Sequence, residues 1–327
     1  MIKDIATAQK IQQKILEAEN ILLVTHQNPD GDGLGAVSAL SFYLARLNKK
    51  YQLYCFNAVP KNYLFLPLMH QFSNNAKSLT AEKFDLIIVL DSGNLDHAGL
   101  TEFISQQTGK YFLINIDHHQ SNNNFGHLNL VQSYSSSACE IIYDLLRFWK
   151  VAINKEMATA LLNGIIFDTG MFSNAGTTFS ALAASSHLLN LGARHHEINQ
   201  NTLRNKNLEL LKLWGRAFER LTYNPKYDLA FTVLTLKDFE DLYIEPGAIE
   251  GLSNFFNELS GAGVIMVLIE RSDGTIKGSL RTTNDNIDVS KLANLWQGGG
   301  HRKASGFTLP GRLVYNKEKW QVVKNNS

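Results

Sequence analysis

Cysteine is nearly absent: Cys55 and Cys139 are the two present in 327 residues. They lie far apart and form no C-x-x-C pair, which argues against a disulfide scaffold and against a thiolate zinc site. An excess of charge is also missing. The 31 Lys and Arg stand against 30 Asp and Glu, a formal balance of +1. There is no strong global field and no basic tail to hold long nucleic acid by counterion release. A local pocket can still carry the charge that a short ligand needs. Long apolar runs are missing too: Val264 to Ile269 is one of the longest, far short of a bilayer span. The opening segment scatters charged and amide residues and lacks the apolar core of a signal peptide. These absences predict a soluble, cytoplasmic protein with no membrane contact.

What is present is enough apolar material for a packed core, 44% of residues with 10% aromatic, and length for about two domains. Apolar spacing predicts a helix over 7–18, a buried strand over 21–25 and a helix over 34–47, with the turn-rich segment His26 to Gly33 between the last two. Further strands are expected over 51–56, 85–90 and 111–116, then helices over 137–149, 155–167 and 178–190. Short apolar strands separated by helical stretches predict an α/β domain, a parallel sheet with helices on both faces. A polar-rich stretch, 197–221, reads as one long helical connector. Beyond Pro225 the pattern is strand, helix, strand, turn, strand and short helix, a smaller α+β unit. The expected division is 1–190, a connector over 191–225, and 226–327.

Acidic and imidazole groups fall at the ends of apolar segments: His26, Asp30 and Asp32 after the first strand, Asp91 after the third, Asp117, His118 and His119 after the fourth, and Asp168 at a helix end. Strand ends in an open α/β sheet are where loops converge on a ligand. A lone aspartate there is more often a helix cap or turn former, but four such segments together argue for a site. Carboxylates and imidazoles without thiolates suit Mn²⁺ or Mg²⁺, and also Zn²⁺ or Co²⁺. The set exceeds what one ion needs, so two ions about 4 Å apart and sharing one carboxylate are expected. A second signal is the run Gly298 to Gly306 (GGGHRKASG). Its glycines would form a turn with exposed N–H groups, a nest for phosphate oxygens, beside His301 and Arg281. It lacks the phosphate-loop pattern, and the glycines at 31, 33 and 35 lack a dinucleotide fingerprint.

These residues resemble the DHH phosphoesterase family with its associated DHHA1 domain. The matching segments are His26 to Asp32, Asp91-Ser92-Gly93, Asp117-His118-His119, Asp168-Thr169-Gly170 and Gly298 to Gly306, in the family's order. The two-domain length is most similar to its nanoRNase/pAp-phosphatase group. The resemblance implies that His26 and Asp30 ligate one Mn²⁺, and Asp32, His118 and Asp168 the other, with Asp91 bridging. Mg²⁺ or Co²⁺ would be substitutes. It implies that Asp117 orients the histidines and that His119 faces the scissile phosphate. In the second domain, Arg281, Gly299, Gly300, His301 and Ser305 would hold substrate.

The implied function is hydrolysis of short single-stranded RNA, about two to five nucleotides, to mononucleotides, and of 3′-phosphoadenosine 5′-phosphate to AMP. A cyclic-di-AMP or pApA phosphodiesterase is the alternative enzyme, and a catalytically silent nucleotide-binding regulator the alternative of another class. A homodimer is expected from the family.

Overall fold

The computed structural model describes residues 2–76, 79, 83–106, 111–202, 207–244, 249, 252–256, 261–317 and 319–324. The chain divides into two units, Met1–Asn205 and Lys206–Ser327. In the first, strands β1 (Asn20–Val24), β2 (Lys50–Tyr54), β3 (Phe72–Ser73), β4 (Leu86–Leu90), β5 (Phe112–Asp117) and β6 (Leu128–Val131) form one sheet in the order β3-β2-β1-β4-β5-β6. All its pairings are parallel. The chain builds outward from β1 in one direction, then returns to add β4, β5 and β6 on the other side. The reversal lies between β1 and β4, so the loops leaving their C-terminal ends part and open a crevice.

The central strand β4 is apolar at every position and β1 at all but its first, because both faces of the sheet are covered. One core packs Leu23, Ile88 and Ile114 against helices α1 (Ile5–Glu17), α2 (Gly31–Arg46), α4 (Ala138–Phe148) and α5 (Lys155–Asp168). The other packs Leu22, Val24, Ile87 and Val89 against Leu100 and Phe103, the latter on α3 (Thr101–Gln106). Helices α6 (Phe179–Asn190) and α7 (His195–Thr202) complete the unit.

Three local expectations change. Helix α2 starts at Gly31, not Leu34, because the Asp30 side chain caps it by accepting from the Asp32 and Gly33 N–H groups. Asp32 therefore sits in a first helical turn. The long helix expected over 197–221 is two helices: α7 stays with the first unit, and α8 (Leu208–Glu219) buries Leu213, Trp214 and Ala217 in the second. Strands β3 and β6, too short to announce themselves by periodicity, extend the sheet edges.

The second unit holds the mixed sheet β11-β12-β10-β9-β8-β7, from β7 (Thr222–Asn224), β8 (Leu229–Leu234), β9 (Val264–Glu270), β10 (Thr275–Arg281), β11 (Gly299–His301) and β12 (Ala304–Pro310). One face packs α8 and α10 (Leu252–Phe256), the described part of the helix expected over 248–259. The other face packs Ile276, Leu280 and Phe307 against α11 (Val289–Asn294). Helix α9 (Leu236–Glu240) follows β8, and a hairpin of β13 (Arg312–Asn316) and β14 (Lys319–Val323) ends the described chain. Among the described residues no helix is long and apolar enough to cross a membrane.

Candidate metal centre

Register carries the first-unit residues to one edge. Val24 lies opposite Val89, and Leu90 opposite Ile116, so the loops after β1, β4 and β5 leave side by side. His26 is oriented by its own loop: Nδ1 donates to the Gln27 carbonyl at 2.7 Å, which leaves Nε2 at 3.4 Å from Asp30 Oδ1 and 3.5 Å from Asp91 Oδ2. His118 Nε2 lies 3.0 Å from Asp168 Oδ2, 3.5 Å from Asp91 Oδ1 and 4.0 Å from Asp32 Oδ2. The completely buried Asp32 carboxylate accepts from the Ala138 and Cys139 N–H groups at 2.6 and 2.9 Å. These are open donors at the N-terminus of α4, where the helix dipole favours negative charge.

Besides an overlapping set around Asp117 and His119, two ligand groups result, His26/Asp30/Asp91 and Asp32/His118/Asp168, each with donor atoms within 4.8 Å of one another. Asp91 touches both, one oxygen toward each group. It is 2% exposed, and its Oδ1 has no hydrogen-bond partner. A buried carboxylate oxygen left in that state is costly unless a cation meets it. Electrostatics agree. Burial, then the nearby Asp91 and Asp168, push the Asp32 carboxyl well above the usual carboxylate range. Burial acts the same way on Asp91, but His118 and His26 outweigh it and hold that carboxyl well below. Burial disfavours charge on His26 and His118, yet Asp30 and Asp91 beside the first, and Asp168 and Asp91 beside the second, raise both imidazoles well above their ordinary value. Hard oxygen and imidazole donors around mutually repelling carboxylates fit divalent cations.

His119 belongs to the overlapping set Asp91/Asp117/His118/His119, with its Nδ1 3.7 Å from Asp91 Oδ1. Its Nδ1 lies 2.7 Å from Asp117 Oδ1, which also accepts from the His118 N–H. Two residues not singled out in the sequence hold Asp117. Asn122 Nδ2 donates to Asp117 Oδ2 at 2.6 Å and to Asn115 Oδ1 at 2.7 Å, while Asn115 Nδ2 donates to the Ser92 carbonyl at 3.1 Å. Both amides lie within seven residues of the Asp117-His118-His119 signature, but nothing in their spacing announces a network. His97 was also missed. Its ring stacks on His26 with centroids 4.9 Å apart, and it joins His26, Asp30, Asp91, His119 and Asp168 around a cavity of about 280 Å³.

In the second unit the glycine run is not a turn with exposed N–H groups. Gly299 to His301 form strand β11 against β12, and Gly300 takes φ of 135°, a conformation that favours glycine. Arg281 and His301 both pair in register with Ala304, which brings them to one face of the sheet. Ser305 lies on the opposite, buried face and its hydroxyl donates to the His301 carbonyl at 2.7 Å, so it braces the strand connection.

Comparison with known proteins finds one family model on each unit. The DHH family N-terminal domain matches residues 20–165, and the DHHA1 domain matches residues 228–322. The bifunctional oligoribonuclease and PAP phosphatase NrnA of Thermus thermophilus is 29% identical over 89% of this chain and 84% of its own. The protein of the same name from Bacillus subtilis is 25% identical over 89% and 90%. A solved exopolyphosphatase-related protein from Bacteroides fragilis shares the fold, with a TM-score of 0.85 at 24% identity, over 92% of this chain and 90% of its own.

Proposed function

Since this chain is a DHH-family phosphoesterase with a DHHA1 domain, we propose that it hydrolyses short RNA oligonucleotides and 3′-phosphoadenosine 5′-phosphate in the cytoplasm. The relatives named above carry both activities in their names. The observation that carries the reading is the shared carboxylate: Asp91 stands between His26 and His118 with one oxygen toward each. His26 and Asp30 would hold one divalent cation, and Asp32, His118 and Asp168 the other. Asp91 would belong to both. Manganese is the expected ion, with magnesium or cobalt able to replace it. Bound there, the cations offset phosphate charge and lower the pKa of water.

The chain's own residues do the remaining work. Asp117 accepts from the Nδ1–H of His119, which fixes the ring. Burial disfavours charge on this imidazole, but Asp117 and Asp91 outweigh it and favour the imidazolium. Its Nε2–H can donate to a phosphate or leaving oxygen in the cavity. The N-terminus of α4 keeps Asp32 in place when no cation is present. In the second unit, Arg281 and His301 offer charged or polar donors to a nucleotide phosphate, with the side-chain-free Gly299 and Gly300 allowing close approach.

The test is a panel containing 3′-phosphoadenosine 5′-phosphate, pApA, cyclic di-AMP and RNA of increasing length, each with Mn²⁺. AMP from the first and stepwise mononucleotides from short RNA are expected. Turnover confined to pApA or cyclic di-AMP would transfer the assignment to dinucleotide phosphodiesterases. Nucleotide binding without turnover under any divalent ion would contradict the enzyme reading.

A further inference from the structure

The accessible face of the β10–β12–β11 half-sheet carries chemistry that the proposed site leaves unused. Ile276, Gly278 and Leu280 of β10 are buried, whereas Lys277, Ser279 and Arg281 share the opposite face. Their partners on β12 are Thr308, Gly306 and Ala304, and the last two pair onward with Gly299 and His301 of β11. The middle of this face is therefore floored by Ser279, Gly306 and Gly299, which carry a hydroxymethyl or no side chain. Arg281 and His301 bound it at one end and Lys277 at the other, about 13 Å along the strand. Lys277, Gly299 and Thr308 are exposed.

At the Lys277 end lies a cavity of about 370 Å³, lined by Arg271, Lys277, Gln297, Thr308 and the half-buried Trp296, while the Phe307 ring that Trp296 packs against is buried in the core of the opposite face. Two cations, an amide and one indole suit a phosphate with a nucleoside attached. The carboxylate of the same hairpin, Asp273, accepts from the Thr275 N–H and hydroxyl at 3.0 and 2.5 Å and also lies within electrostatic reach of Arg271.

We propose that this cavity is a subsite for a second nucleotide of an oligonucleotide, with its phosphodiester on Lys277 and Arg271 and its base against Trp296 and Gln297. The proposal rests on the reading that Arg281 and His301 hold a first nucleotide. A linked chain of two or more nucleotides then spans the floor and reaches the cavity. A single nucleotide held at Arg281 and His301 does not. The subsite thus separates short RNA from 3′-phosphoadenosine 5′-phosphate by length.

The test uses the full chain. Calorimetric titration in EDTA compares an RNA trinucleotide with AMP on wild type, Lys277→Gln, Arg271→Gln and Lys277→Arg. Wild type is expected to bind the trinucleotide more tightly than AMP. Each glutamine variant should weaken the trinucleotide by about tenfold, the loss of one charge-assisted hydrogen bond, with AMP changed by less than about twofold. Lys277→Arg should retain binding. Equal weakening of both ligands, no weakening of either, or a wild type that does not favour the trinucleotide overturns the subsite. Parallel hydrolysis assays keep the two readings distinguishable: a wild type that cleaves neither substrate with Mn²⁺ contradicts the proposed function, while the metal-free titration still decides the subsite.

Discussion

Asp91 holds a left-handed backbone, φ 59°, at the end of a strand whose five residues are all buried. Aspartate enters this region more readily than most residues, and the turn aims its carboxylate into the crevice rather than along the sheet. The neighbouring imidazole, His119, depends on a second set of residues. It is aligned by Asp117, which is held by Asn122, which is held in turn by Asn115. Partners one step removed from the reacting groups commonly change activity by about ten- to a hundredfold. Asn122→Ala is therefore expected to lower kcat on short RNA within that range, with KM and Mn²⁺ affinity little changed. An unchanged kcat would show that Asp117 holds His119 without the amide.

Among the elements, the close approach of α2 to α5 explains Gly35 and Gly164. A Cβ on Gly35 would collide with the Ala160 carbonyl, and one on Gly164 would strike Cys139 Sγ and lie 2.5 Å from Asp32 Oδ1. These positions let two helices close around the Asp32 carboxylate. Gly164→Ala should cost about 1–3 kcal/mol in stability through overpacking and should weaken Mn²⁺ binding by displacing Asp32. Thermal unfolding and metal titration measure the two effects, and normal values for both would contradict this account.

In the second unit, α9 is tied to α8 by Asp238, whose carboxylate accepts from Arg220 Nη1 and Nη2 at 2.5 and 2.8 Å and from the Thr235 N–H and hydroxyl, both at 2.8 Å. Burial pushes this carboxyl up, but Arg220 and Thr235 outweigh it and bring the pKa from 3.8 to about 2. A depressed folded-state pKa stabilises the fold above the unfolded value and loses that contribution as pH falls through the folded one. Unfolding followed by a probe in the second unit should thus show a stability loss between about pH 4 and 2. Asp238→Asn should remove that component and cost about 2 kcal/mol at neutral pH. A variant with the wild-type acid profile would assign the effect to another group.

For the whole molecule, the near-neutral charge of +1 conceals a strongly acidic buried cluster in one unit and a cationic sheet face in the other. Much of this was legible in the sequence. Apolar strands ending in Asp or His are local features, and a parallel sheet carries them to one edge, so the sequence alone groups His26, Asp91 and His118, and Asp168 joins them from a helix end. What escaped was set by tertiary contact. Asn122 gains its place from a fold-back onto Asp117, and His97 from stacking on His26. The glycine run reads as a flexible turn until β12 supplies a strand to pair with. The break between α7 and α8 arises because their apolar residues pack into different cores.

The central claim is that one buried carboxylate serves two divalent cations in a phosphoester hydrolase. Its most direct measurement is Mn²⁺ stoichiometry together with hydrolysis of short RNA by wild type and Asp91→Ala. Wild type should bind two ions and turn over; the variant should keep its fold, lose at least one ion and lose activity by about a thousandfold or more. Near-wild-type turnover by Asp91→Ala with Mn²⁺ present would contradict the account.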